Sequence, residues 1–207
     1  MPHRAAGQGI RTVLVSAPTV DPVTLPDLKA HLRVDLVDED ALITAQGTAA
    51  RLLIEDITGQ RMITQTWKLV LDRFPAARWI QIPLGPTTAV NSVKSTDRLG
   101  FVSTQNAAEY IVDLVSEKAR IVLKEDFDWP DPDEDLQEAN AVEIEFVVGF
   151  GAAATDVDER LKLAVKMLTA HWFENREAVV LSSMSFEELP MAVQSLIGEF
   201  RLWARDF

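Results

Sequence analysis

Two hydrophobic periods divide the chain, a helical one toward both ends and a two-residue one between them. Thr24, Pro26 and Asp27 make a helix start: the Thr hydroxyl caps free backbone N–H groups, Pro is tolerated in the first turn, and the helix dipole favours Asp27. This predicts a short helix to about Leu32. After a polar joint at Asp35, the Asp38-Glu39-Asp40 cluster opens a second helix over about 39–58. Leu42, Ala45, Ala49, Leu52, Leu53 and Ile57 are its apolar positions and Gly59 its left-handed stop. Gly47 in its middle costs about 1 kcal/mol relative to Ala, which points to close backbone packing there.

From Met62 to Phe150 the period is two. Thr64, Thr66, Lys68 and Val70 alternate with Gln65, Trp67, Leu69 and Leu71, and further runs follow at 79–82, 89–94, 110–114, 120–123 and 142–148. The connections are too short for helical crossovers, so these runs predict five to seven strands in a mainly antiparallel sheet. The helical period returns after Gly151, with a capping-box-like start at Thr155 to Asp158. Val157, Leu161, Ala164, Val165, Leu168, Trp172 and Val179 then share one face. Leu163, Met167, Ala170 and Phe173 widen that face, so this helix must be covered on more than one side. Pro190 begins a last helix with Met191, Val193, Leu196, Ile197, Phe200 and Trp203 at its apolar positions.

The fold class read from this order is α+β: a helical core of four main helices around a central antiparallel β-rich insertion. Residues 1–23 read as an N-terminal arm in which Val13 to Val15 add one short strand, ordered against a partner. Residues 24–207 read as one domain, with helices in 24–59 and 155–205 and the β-rich insertion at 61–150.

Composition adds a charge asymmetry. The 207 residues carry 20 Lys and Arg against 32 Asp and Glu, a formal charge of -12 that speaks against a surface built to neutralise nucleic-acid phosphates. Ten of the carboxylates lie between Glu125 and Glu145 with no Lys or Arg among them, so the rest of the chain is nearly neutral. The chain has no cysteine, which excludes disulfides, thiolate zinc sites and a Cys nucleophile and fits assembly in a reducing cytoplasm. Neither an apolar run of signal-peptide length nor a membrane-spanning stretch is present, so no membrane role is expected.

Candidate chemistry is sparse. No phosphate loop, dinucleotide fingerprint, nucleophile elbow or metalloprotease helix is present, and no catalytic residue, cofactor site or metal site is assigned. His171 and Glu174, at i and i+3, share a helix face, which is two ligands short of a metal centre and reads as packing and hydrogen bonding. Asp131, Asp133 and Asp135 alternate as in a calcium loop, but Leu136 stands where the turn glycine belongs and Val142 where the closing Glu belongs. A metal-dependent hydrolase or nuclease accessory using the acidic 125–145 strip and His171 is the alternative reading. Glu174, Asn175, Arg176 and Glu177 form a polar set that caps the helix or meets another subunit.

Several strings together resemble one family: Leu28 to Asp35, Asp38 to Ile43, Thr58 to Arg61, Ile63 to Trp67, Val142 to Gly151, Ala170 to Glu177 and Glu188 to Pro190. In this order over about residues 24–205 they are similar to the head-to-tail connector, or adaptor, proteins of long-tailed phages and phage-like gene transfer agents. The resemblance implies a connector-like fold and a non-enzymatic virion protein of the particle neck. It implies a homo-oligomeric ring, dodecameric in the particle, that docks below the portal protein. Such a ring receives the stopper and tail-terminator proteins and lets double-stranded DNA pass without specific binding.

A ring subunit shows two different faces to its neighbours. Leu163, Met167, Phe173, Glu174 and Arg176 are the expected subunit interface, set against the 39–58 helix of the next copy. Phe200, Trp203 and Phe207 are the expected aromatic anchors for the portal. Asp131, Asp133, Glu134 and Asp135 are expected to face the channel, where negative walls forbid the counterion release that drives tight phosphate binding.

Overall fold

In β8 (Val142–Val148) every second side chain is buried: Val142, Ile144, Phe146 and Val148 point inward while Glu143, Glu145 and Val147 point out. That alternation organises one of the two units of the computed structural model, which describes residues 10–130, 136–175 and 186–202. The unit comprises residues 10–17 and 65–148, and among the described residues its regular elements are all strands. Its strands besides β8 are β1 (Ile10–Ser16), β2 (Gln65–Leu71), β3 (Trp79–Gln81), β4 (Thr87–Thr96), β5 (Val102–Thr104), β6 (Tyr110–Asp113) and β7 (Arg120–Leu123). One sheet has the order β1-β2-β8-β4-β5 and the other β3-β7-β6, and every named pairing is antiparallel. Their inward faces share one core, with Phe146 and Ile144 fully buried beside Leu69, Val93 and Ile121.

The other unit comprises residues 18–64 and 149–202 and is helical. Its helices are α1 (Leu25–Leu32), α2 (Asp40–Thr58), α3 (Glu159–Glu174) and α4 (Met191–Ile197). Thr24 caps α1 in a reciprocal box: its Oγ1 accepts from the Asp27 N–H, and the Asp27 carboxylate accepts from the Thr24 N–H at 3.1 Å. Gly59, at φ 72°, ends α2. The core gathers Leu28, Ile43, Ala50, Ile54, Leu161, Val165, Leu168, Val193 and Ile197.

The α+β class, the four helices and the antiparallel strands agree with the sequence reading. Several particulars differ. The N-terminal segment contributes a seven-residue strand, because the open side of β2 offers Ile10 to Ser16 a ladder within the same chain. Among the described residues the β-rich segment holds seven strands, in two sheets rather than one. The buried stripe of α2 is Ile43, Gly47, Ala50 and Ile54, one position round from the expected one, and Leu42, Ala45 and Leu52 face outward. That shift follows from Gly47, which lets Leu28 sit against the helix backbone. A short 3-10 turn at Ala154–Asp156 precedes α3, whose cap is Asp158, accepting from the Arg160 N–H at 2.8 Å. The last helix ends at Ile197 and tightens into a 3-10 turn at Gly198–Phe200, where Gln60 Nε2 donates to the Phe200 carbonyl at 3.1 Å. Met191, expected to be apolar core, is exposed at the first turn of α4.

Candidate functional site

The expected interface residues on α3 do not behave alike. The burial stripe runs through Leu161, Ala164, Val165, Leu168 and Trp172, and Leu163 stands off it with 39% of its surface exposed. Met167 and Phe173 are half-buried and pack on the helical core of their own unit, and Glu174 is exposed at the helix end. His171 is exposed, with the Asn175 side chain donating to its carbonyl at 2.8 Å, a closure of the last helical turn. Arg176 lies outside the described residues. The outward positions of α2, Leu42, Ala45 and Leu52, form a second exposed apolar face in the same unit. Their spacing is helical, but sequence reading assigned them to the core.

Of the aromatic anchors, Phe200 is half-buried. It meets Phe150 edge-on, with centroids 6.4 Å apart, and the Arg160 guanidinium lies 4.6 Å from its ring centre. Arg160 also pairs with Asp158 at 3.0 Å and Glu199 at 2.7 Å, so the turn that carries Phe200 is tied to the start of α3. Trp203 and Phe207 lie outside the described residues.

The acidic strip is held at both ends within the β unit. On its N-terminal side Trp129 stacks on Phe74, with centroids 4.6 Å apart and planes 4° from parallel, and its Nε1–H donates to the Ala77 carbonyl at 3.1 Å. Arg78 donates to the Lys124 and Phe127 carbonyls and pairs with the exposed Asp128 at 3.3 Å. On its C-terminal side Leu136 is buried and bridges Asp97. Asp131, Asp133, Glu134 and Asp135 fall between these anchors, outside the described residues. Around them Glu125, Asp126, Asp128 and Glu138 are exposed. Glu143 and Glu145 instead decorate the outer face of β8, bonded to Lys68 at 2.9 Å and to Asn91 at 3.0 Å. Sequence reading counted ten like charges; the sheet separates a loop cluster from two paired strand carboxylates, and the Glu-Ile-Glu alternation was the available signal.

Sequence reasoning also missed Glu55. It is buried on α2, its Oε1 accepts from the Met62 N–H at 2.9 Å, and its Oε2 accepts from Arg51 at 3.1 Å. Burial pushes its carboxyl pKa up, against the pull of the Met62 N–H and of Arg51 and Arg61. Its partner Arg51 lines a cavity of about 160 Å³ together with Asp21, Thr24, Leu28 and Gly47. Of the cavity's polar lining, Asp21 pairs with Arg51 at 3.2 Å and Thr24 with Asp27. Among the described residues, no three His, Cys, Asp or Glu side chains come together as a metal ion requires, and no helix is long and apolar enough to cross a membrane.

Neither a family model nor a curated protein matches the chain. Solved structures do match its fold. One is a chain in the neck of an empty gene transfer agent particle, computed with six-fold symmetry, at TM-score 0.75 and 24% identity over 92% of this chain and 95% of that one. A second belongs to the virion of the native gene transfer agent particle, at TM-score 0.74, 24% identity and coverage of 92% and 94%. A third lies in the neck of the native particle, computed with twelve-fold symmetry, at TM-score 0.68, 24% identity and coverage of 91% and 94%. The likeness is one of fold along nearly the whole of both chains.

Proposed function

We propose that the chain is a structural, non-enzymatic component of the neck of a phage-like particle, a head-to-tail connector ring. The observation that carries this reading is the fold shared with neck chains of gene transfer agent particles over 92% of this chain. In this proposal the chain forms a homo-oligomeric ring, of twelve copies in the particle, that docks below the portal protein. The ring then receives the stopper and tail-terminator proteins and lines part of the channel through which double-stranded DNA passes. Assembly takes place in the bacterial cytoplasm.

The exposed apolar faces support a ring, which needs two unlike surfaces on each subunit. Leu163 on α3 is one, and Leu42, Ala45 and Leu52 on α2 are the other. The acidic segment that follows Trp129 in sequence is the proposed channel lining or rim, because a carboxylate surface offers DNA no counterion release. The C-terminal aromatics Phe200, Trp203 and Phe207 are the proposed portal anchors.

Electron microscopy of particles containing this chain tests the reading. The expected result is a ring of this fold between portal and tail; density for the chain in the capsid shell or tail tube, or none in the particle, overturns it. Leu163→Glu, at an exposed position, is expected to leave the folded monomer unchanged and to remove the ring from particles. Calorimetric titration with calcium, magnesium and manganese is expected to give no stoichiometric heat.

A further inference from the structure

Among the described residues the five-stranded sheet is open at both edges, and each edge carries exposed apolar side chains. Among the described residues β1 pairs only with β2 and β5 only with β4, so the outer N–H and C=O groups of each have no strand beside them. Natural edge strands are commonly guarded by Lys, Pro or a covering element. β1 has one charge, Arg11, and β5 has none. Ile10, Val13 and Leu14 are exposed along β1, and Phe101 and Val102 are exposed at β5.

The register gives these residues sides. Ile10, Thr12 and Leu14 pair with Leu71, Leu69 and Trp67 and therefore lie on the face that carries the buried core, yet Ile10 and Leu14 are exposed and Thr12 is only half-buried. The core layer ends one strand before the sheet does. At the other edge Ser103 pairs with the buried Ser95, so Ser103, with Phe101 two residues before it, lies toward the same inner face. A bulge near Val15 breaks the β1 ladder, which leaves Ile10 to Leu14 as the regular run.

Strand direction then selects the occupant. Four antiparallel steps separate β1 from β5, so the two edges run the same way. A second copy displaced sideways without being turned over brings its β5 alongside β1 in parallel. Each junction leaves a free β1 at one end and a free β5 at the other, which is the head-to-tail contact that closes rings rather than dimers.

We infer that β1 of one copy pairs with β5 of the next, continuing the sheet from subunit to subunit and covering Ile10 and Leu14 with Phe101 and Ser103. This rests on the ring reading above and adds to it the surface through which the β units associate.

Because the chain has no cysteine, paired cysteines introduced into it are its only thiols. Neighbouring strands lie about 4.8 Å apart, within reach of a disulfide between facing side chains. Ser103→Cys is combined separately with Ile10→Cys, Thr12→Cys and Leu14→Cys, all on the inner face, and assembled particles are oxidised and run on non-reducing denaturing gels. At least one combination is expected to give a ladder from dimer upward, with each single variant monomeric. A dimer from Thr12→Cys alone would mean two-fold β1 pairing and overturns the inference. Absence of any ladder in particles whose ring is intact by microscopy overturns it while leaving the ring standing. Absence of the ring itself overturns both.

Leu14→Lys/Val15→Lys, both at exposed positions, provides an independent arm. It is expected to keep the melting temperature of the monomer and to lower incorporation into particles at least tenfold; unchanged incorporation overturns the inference.

Discussion

The Leu28 side chain occupies the space that a Cβ on Gly47 would need: built there, it would lie 2.5 Å from Leu28 Cδ1. Leu28 is the buried residue of α1 and Gly47 sits in the middle of α2, so the helix pair closes at this point. Gly47→Ala gains about 1 kcal/mol of helix propensity but forces an overpacking cost of about 1–3 kcal/mol. Net destabilisation of about 1 kcal/mol is expected by urea denaturation. Leu28→Ala alone should cost about 2–5 kcal/mol. The double variant should cost less than the two singles together, because the collision is then gone and the propensity gain remains. Simple additivity would show that the contact does not limit packing.

Phe146 lies fully buried on β8, with β2 and β4 on either side. Phe146→Ala should destabilise the β unit by about 3–5 kcal/mol through lost transfer energy and a residual cavity. Val147→Ala, one residue away on the outer face, should cost under about 1 kcal/mol by the same denaturation measurement.

Glu55 carries a pH signature. Its carboxyl is raised above its ordinary 4.5 chiefly by burial, so the folded chain binds its proton more tightly than the unfolded chain does. The resulting stabilisation is full below 4.5 and is lost as pH rises through the raised value. Glu55→Gln keeps an oxygen for the Met62 N–H and removes this dependence. The variant's stability relative to the native chain should therefore increase with pH above about 4.5, read from melting temperatures across a pH series.

Asp113 shifts the other way. Its carboxylate accepts from the Ser116 hydroxyl at 2.6 Å, the Ser116 N–H at 3.1 Å and Arg120 at 2.9 Å, which hold it well below the usual carboxylate range. Its contribution is present above the ordinary 3.8 and fades as pH falls. Ser116→Ala should move the Asp113 titration, followed by carboxyl NMR, upward toward 3.8, while Arg120 and the backbone N–H groups keep it below.

How far the chain was legible depends on the range of the forces involved. The capping box at Thr24 and Asp27, the left-handed Gly59 and the period-two run of β8 are local devices, and each stands where the sequence places it. The α2 stripe was misread by one position because Leu42 and Leu52 are as apolar as Ile43 and Ile54, and only the close approach of Leu28 to Gly47 decides which pair is covered. The strand at Ile10–Ser16 was underestimated because its partner β2 lies about fifty residues away. Leu163 and Met167 looked equivalent on a helical wheel, yet only Leu163 stands clear of the core.

By itself the sequence determined the order of helices and strands, the α+β class and the concentration of negative charge in one segment, because periodicity, caps and charge runs are properties of neighbours along the chain. Tertiary structure alone decided the division of the strands into two sheets, the sharing of the acidic run between a loop and the outer face of β8, and the two open sheet edges. Those follow from pairings between residues far apart in sequence, where a one-residue change of register or helix rotation exchanges buried and exposed side chains without altering the local pattern.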